Sequence, residues 1–216
     1  MHITLFDLDG TITKKDTFIP YLTGLMARNF NTITITPLLA YHLARYLLNR
    51  IDNNQLKQIF LSTIISRCDK STLSEWTKKY VRTILEYNIT DDALHHILEA
   101  KNIGRVFLVT ASIDEYVIPL SKELNIDEVI CTSMKRNESG EPSGEILGQN
   151  CFGEEKLNRV LEWINTTKYK GTISSYSDHH SDIPLLEFSH NAIAVNPTKE
   201  LLKYCEKENL DVVYWQ

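Results

Sequence analysis

The stretch Ile3-Thr4-Leu5-Phe6-Asp7-Leu8-Asp9-Gly10-Thr11 decides the reading of this chain. Its first four residues form a short apolar run that reads as a buried strand. Asp7 and Asp9 follow where the strand gives way to a loop, and Gly10 lets the backbone turn there without a Cβ clash. Strand ends of a parallel sheet are where α/β proteins place their chemistry. An Asp there suits a hard cation such as Mg²⁺, or attack on phosphorus to form an aspartyl-phosphate. A second Asp two residues on suits proton transfer to and from a leaving group. Taken alone, the segment also fits an ordinary acidic turn, because Asp-Gly is common in turns.

Three further segments change that balance. Val106-Phe107-Leu108-Val109 reads as a second buried strand and ends on Thr110-Ala111-Ser112. Lys156 lies in Asn150-Cys151-Phe152-Gly153-Glu154-Glu155-Lys156, at the start of a predicted helix. Thr172-Ile173-Ser174-Ser175-Tyr176-Ser177 reads as a third strand and ends on Asp178-His179-His180-Ser181-Asp182. Each feature has a plain alternative: Asp178 and Asp182 as helix-start acids, Thr110 as a strand-end hydroxyl, Lys156 as a solvated helix residue. Four such features in one order, three at strand ends, point to a site.

With these residues in place, the chain resembles the haloacid dehalogenase superfamily of phosphohydrolases, in its phosphoserine-phosphatase-like branch. The resemblance rests on Asp7-Leu8-Asp9-Gly10-Thr11, Thr110, Asn150 to Lys156, and Ser177-Asp178 with Asp182. It implies Asp7 as nucleophile and Asp9 as acid and base, with a main-chain carbonyl of Asp9 toward the metal. It implies Thr110 and Lys156 on the phosphoryl group, with backbone around Leu8, Asp9 and Ala111 cradling its oxygens. Asp178 would be a second carboxylate on Mg²⁺ beside Asp7, and Asp182 would orient the metal shell. Asp16 would stand for the acidic residue that, with a cap arginine, grips the substrate amino acid, and Ser181 or His180 would touch phosphate. The branch's cap arginine has no clear counterpart, which weighs against phosphoserine as substrate. The motif before Asp178, Tyr176-Ser177, departs from the small residues usual there.

Composition sets bounds. The 216 residues are 43% hydrophobic and 24% charged, ordinary for a globular chain. A net charge of −5 without a dominant basic patch argues against a general nucleic-acid binder. Cys68, Cys131, Cys151 and Cys205 form no CxxC pair, which fits reduced thiols in a cytoplasmic protein and gives no zinc signature. Asp7 and Asp9 interrupt the N-terminal apolar run, so it does not read as a signal peptide. Ile33 to Leu48 is apolar but contains His42 and Arg45 and is too short to span a bilayer. No membrane partner is expected, and the oligomeric state is not legible.

The expected architecture is α/β: a Rossmann-like, mostly parallel sheet with helices on both faces, plus an inserted all-helical cap. Residues 1–13 and 89–216 form the expected core and 14–88 the cap. Within the cap, Thr36 to Arg50 reads as a helix with Leu39, Leu43, Tyr46 and Leu47 on one face, and Asn53 to Ile65 as another. Thr72-x-x-Glu75 and Ser112-x-x-Glu115 read as capping boxes. Asn196-Pro197 reads as the cap and first residue of a late helix. Lys135 to Gly148 reads as a hairpin or loop. The expected activity is Mg²⁺-dependent hydrolysis of a small phosphorylated metabolite through an aspartyl-phosphate. The rivals are a phosphotransferase using the same intermediate and a non-catalytic phospho-metabolite binder.

Overall fold

A computed structural model describes residues 2–29 and 32–216. The chain opens with strand β1 (His2–Phe6) and then enters four helices: α1 (Phe18–Asn29), α2 (Thr32–Leu47), α3 (Asn53–Ile64) and α4 (Lys70–Tyr87). Helix α5 (Asp91–Ile103) leads into strand β2 (Arg105–Ile113), followed by α6 (Asp114–Glu123) and β3 (Glu128–Thr132). A hairpin of β4 (Met134–Arg136) and β5 (Pro142–Ile146) precedes α7 (Glu154–Thr167). The last elements are β6 (Thr172–Ser177), α8 (Ile183–Phe188), β7 (Asn191–Val195), α9 (Lys199–Glu208) and β8 (Asp211–Val213).

Six strands form one parallel sheet in the order β3-β2-β1-β6-β7-β8. The chain grows outward from β1 through β2 and β3, then returns to place β6 on the other side of β1. The order therefore reverses beside β1, and the crevice at the carboxyl ends of β1 and β6 is where such sheets bind ligands.

Alternation along each strand feeds two cores. Phe6, Val106 and Leu108 face α5, α6 and the helical insertion. Ile3, Leu5, Phe107, Val109 and Ile173 face α7 and α8. A smaller cluster of Leu186, Ala194, Leu201 and Cys205 seals α8 and α9 against β7. Helices thus cover both faces, which is why β2 and β7 carry long apolar runs.

The two chain crossings between sheet and insertion lie side by side. Thr13 bridges Ile89 in antiparallel fashion, Lys14 N donates to Asn88 O, and Thr90 N donates to Ile12 O. The predicted hairpin is present and packs on α3, where the Gln58 amide donates to Gly144 O and accepts from Ile146 N.

Several local readings are corrected. Helix α4 starts one turn earlier than Thr72-x-x-Glu75 suggests, because Asp69 caps it by accepting from Thr72 N and the Thr72 hydroxyl. Strand β2 runs on to Ile113, so Ser112 is a strand residue rather than a helix cap. Thr198, not Asn196, caps α9; Asn196 sits at φ 44° and bonds the backbone of Trp215 through its side chain. In α2, only Leu39 of the expected apolar face is buried, while Leu43 and Leu47 are exposed. In α7, Val160 is fully buried, with Leu157 and Ile164 partly buried in the same core. No helix among the described residues is long and apolar enough to cross a membrane.

Candidate active site

Asp7 is the first residue past β1, and its N–H still donates to Tyr176 O, so the sheet ladder fixes its backbone. Its Oδ1 accepts from the Lys156 ammonium at 2.7 Å. Lys156 is 3% exposed and reaches the sheet from the first turn of α7. The same ammonium donates to Asp182 Oδ2 at 2.6 Å. Asp182 in turn accepts from Ser177 Oγ at 2.7 Å and from Ser181 Oγ at 3.3 Å. Burial works against the Lys156 charge, but Asp182 and Asp7 outweigh it and hold the amine as an ammonium, raised above its ordinary range. Burial likewise pushes the Asp7 carboxyl well above its ordinary range, with Lys156 opposing.

Asp178 stands directly beneath the turn at Gly10. Gly10 has φ +82°, and a Cβ there would lie 2.3 Å from Asp178 Oδ2. Glycine is required at this position by both conformation and space. Asp178 Oδ1 is buried with no hydrogen-bond partner among the described residues. Burial first, and then the facing Asp182, push its carboxyl up to about 7. A buried carboxylate oxygen without a donor, beside a second buried carboxylate, is the local signature of a place suited to a cation. Among the described residues no three His, Cys, Asp or Glu side chains converge into a metal cage. A cation here would draw on a few protein oxygens and on water, the habit of Mg²⁺.

Asp9 is held differently. Its Oδ1 accepts from both N–H and Oγ of Thr17, and its Oδ2 from Ser112 Oγ, all at 2.6 Å. With the Thr17 hydroxyl donating to Asp9, Tyr116 Oη donates to Thr17 Oγ1 at 2.9 Å, and Tyr80 Oη donates to Thr17 O at 2.7 Å. Burial raises the Asp9 carboxyl from its ordinary range, and the Ser112 and Thr17 hydrogen bonds oppose that rise. A carboxyl raised in this way suits proton donation to a leaving group.

Asp7, Asp9, Asp16, Thr110, Ala111, Lys156, Asp178, Ser181 and Asp182 line one cavity of about 230 Å³. The structure thus brings together nine of the ten expected site residues. Leu8 contributes no side chain, since it lies in the hydrophobic core. His179 lines the cavity and bonds Ser181 through Nδ1, while His180 is exposed outside it. A second chamber of about 270 Å³ shares Asp9, Asp16, Ala111 and Phe152 with the first. Its other walls are largely apolar, from Phe18, Ile19, Leu56 and Phe60. A larger cavity, about 720 Å³ between β3 and α7, contains none of the expected residues.

Sequence reasoning gave Thr17 and Lys57 no role, read Ser112 as a helix cap, and named Asn150 only as the start of the motif ending at Lys156. Lys57, from α3, is 8% exposed. It donates to Ala111 O and, at 3.0 Å, to Asn150 Oδ1. Thr132 Oγ1 lies within hydrogen-bond distance of the same two oxygens. Burial lowers the Lys57 amine to about 8. A signal for Ser112 was available: it lies two residues beyond Thr110, on the same strand face.

A family model described as haloacid dehalogenase-like hydrolase matches residues 4–187. A histidinol-phosphatase of Neisseria meningitidis is 23% identical over 218 residues, covering 98% of each chain. A Bordetella pertussis protein of unknown function superposes with a TM-score of 0.87 at 23% identity, covering 98% of this chain and 97% of its own. A phosphoserine phosphatase solved as an analogue of its phospho-aspartyl intermediate superposes with a TM-score of 0.64 at 18% identity, over 97% and 91% of the two chains.

Proposed function

The chain belongs to the haloacid dehalogenase-like hydrolases, and from that premise we propose that it hydrolyses a small phosphate monoester through an aspartyl-phosphate on Asp7. The observation that carries this reading is the bridge of Lys156 between Asp7 and Asp182 at 2.7 and 2.6 Å, in one cavity with Asp9, Thr110 and Asp178. The ammonium offsets repulsion between Asp7 and an arriving phosphate dianion. It also holds the carboxylate in one rotamer, with Asp182 anchoring it from behind. Phosphoryl transfer asks mainly for such positioning and charge neutralisation.

In the proposed reaction, an Asp7 oxygen attacks phosphorus, the bond to the ester oxygen breaks, and Asp9 gives that oxygen its proton. Water then attacks the aspartyl-phosphate, Asp9 takes the water's proton, and phosphate leaves with Asp7 restored. Thr110 binds a phosphoryl oxygen. Asp7, Asp178 and the main chain of Asp9 are the groups that would hold Mg²⁺, which supplies charge neutralisation at the phosphoryl oxygens. The orphaned Asp178 Oδ1 supports that fit.

The second chamber narrows the substrate. Among the described residues Lys57 is the one cation lining it, and its ammonium already serves Ala111 O and Asn150 Oδ1. Asp16 stands exposed where the chambers meet, with Oδ2 accepting from Ile19 N. The walls therefore favour an alcohol bearing an amine and some apolar surface over one bearing a carboxylate. The first test is phosphate release from amino-alcohol phosphates, phosphoserine and sugar phosphates, with Mg²⁺ or EDTA, beside Asp7→Asn. We expect release that EDTA and the substitution abolish, with amino-alcohol phosphates ahead of phosphoserine. Near-normal turnover by Asp7→Asn would overturn the nucleophile assignment.

A further inference from the structure

Residues 17–51 contain no Asp, Glu or Lys, and their charged residues are Arg28, Arg45 and Arg50. This stretch carries +3 in a chain of net charge −5, which leaves −8 on the rest. It also carries a contiguous group of exposed large apolar side chains. Along α2 and at the residue that follows it, Leu38, Tyr41, Leu43, Leu47 and Leu48 are 44, 60, 43, 71 and 65% exposed. At 100° per residue these five, with the exposed Ala40 and Ala44 between them, occupy one continuous outward arc. The opposite side, around Leu39, packs toward α3. The outward arc carries one charged side chain, Arg45, which lies over the Tyr41 ring at 5.8 Å. Arg50 follows just past the helix end and is exposed.

Isolated exposed leucines are ordinary, but a whole apolar helix face is not. No described residue covers it. We infer that the outward face of α2 lies on an anionic lipid surface, with Leu38, Tyr41, Leu47 and Leu48 in the headgroup boundary and Arg45 and Arg50 on lipid phosphates. Arginines without any carboxylate in the same stretch match a negative surface. The same charge distribution disfavours pairing of two copies face to face, which would bring like arginines together. Lying in the interface plane requires no spanning length, so the shortness of α2 is no obstacle. The face is remote in role from the candidate site: none of these residues lines either chamber. The inference is thus independent of the proposed hydrolysis.

Vesicle flotation tests it, using phosphatidylcholine vesicles with and without phosphatidylglycerol at low and high salt. The expected result is flotation with the anionic vesicles that weakens as salt rises, and little with the neutral ones. Leu47→Glu/Leu48→Glu should lower the bound fraction at least tenfold, and Arg45→Gln/Arg50→Gln should remove its salt dependence. Both variants should keep the parent far-ultraviolet circular dichroism and the parent phosphate release from a soluble ester. The inference is overturned if the parent does not float with anionic vesicles, or if flotation survives Leu47→Glu/Leu48→Glu. It is equally overturned if the face proves to be a dimer contact, with a concentration-dependent dimer that the same substitutions abolish.

Discussion

Thr17 and Ser112 set the orientation of the Asp9 carboxyl. A buried carboxyl beside a nucleophile must present one oxygen to the leaving group, and these hydrogen bonds fix its rotamer. Removing a hydrogen bond to a charged group costs about 1.5–3 kcal/mol. If that loss falls in the transition state, Ser112→Ala should lower kcat roughly tenfold to a hundredfold, with KM nearly unchanged. Ser112→Thr, which keeps the hydroxyl, should restore most of it. Steady-state kinetics on the three proteins decide the matter, and a change confined to KM would remove Ser112 from this role. Gly10 makes a second residue-scale case. Gly10→Ala forces a side chain to φ +82° and to within 2.3 Å of Asp178 Oδ2. The expected outcome is a loss of about 1–3 kcal/mol in stability from the strained backbone, together with weakened Mg²⁺ dependence as Asp178 is displaced. Urea melts and Mg²⁺ titrations of activity measure the two effects, and unchanged Mg²⁺ activation would dissociate Asp178 from the metal.

At the scale of elements, α3 is tied to the sheet by a buried lysine. Burial lowers the Lys57 amine to about 8, while in the unfolded chain it titrates near the ordinary value of about 10.4. Between those values the unfolded state binds the proton more readily than the folded state, so stability rises with pH across that window. Below about 8 both states are protonated, and the group's contribution stays constant. The stability of the parent relative to Lys57→Met should therefore increase by about 2 kcal/mol from pH 7 to 9.5. Denaturant unfolding of both proteins at the two values measures it, and a flat difference would mean that burial does not lower the Lys57 amine. This latch illustrates what the sequence could and could not show. Strands β1 and β2 were legible because apolar runs end on polar residues, and the site residues at those ends followed. Lys57 was not legible, because nothing local marks a lysine whose partners lie 54 and 93 residues away. The caps of α4 and α9 were misplaced because two polar candidates stood within a turn of each other, and only the backbone geometry chooses between them. Helix α2 is apolar nearly all round, so periodicity could not tell its packed side from its open one.

At the scale of the whole molecule, the helical insertion meets the sheet through a paired ribbon and a hairpin. The ribbon joins residues 12–15 to 88–90, so both chain crossings share one pivot. The hairpin grips α3 from the far side: Gln58 bonds Gly144 O at 3.0 Å and Ile146 N at 2.8 Å. A Cβ on Gly144 would lie 2.7 Å from Leu61 O, so the two backbones approach closely. We propose that residues 14–88 act as a cap that closes over the phosphoryl cavity about the ribbon, with the hairpin setting the closed position. Helix α3 supplies Leu56, Lys57 and Phe60 to the second chamber, so a loosened α3 should weaken substrate binding before it affects chemistry. Gln58→Ala removes both hairpin bonds, a loss of about 1–3 kcal/mol. Melting should fall by roughly 2–12 °C at this chain length. KM should rise several-fold for a substrate that fills the second chamber and little for one that is scarcely larger than phosphate, with kcat retained for both. Equal effects on the two substrates would place the hairpin's contribution in general stability and leave the cap without a closed position to be set by it.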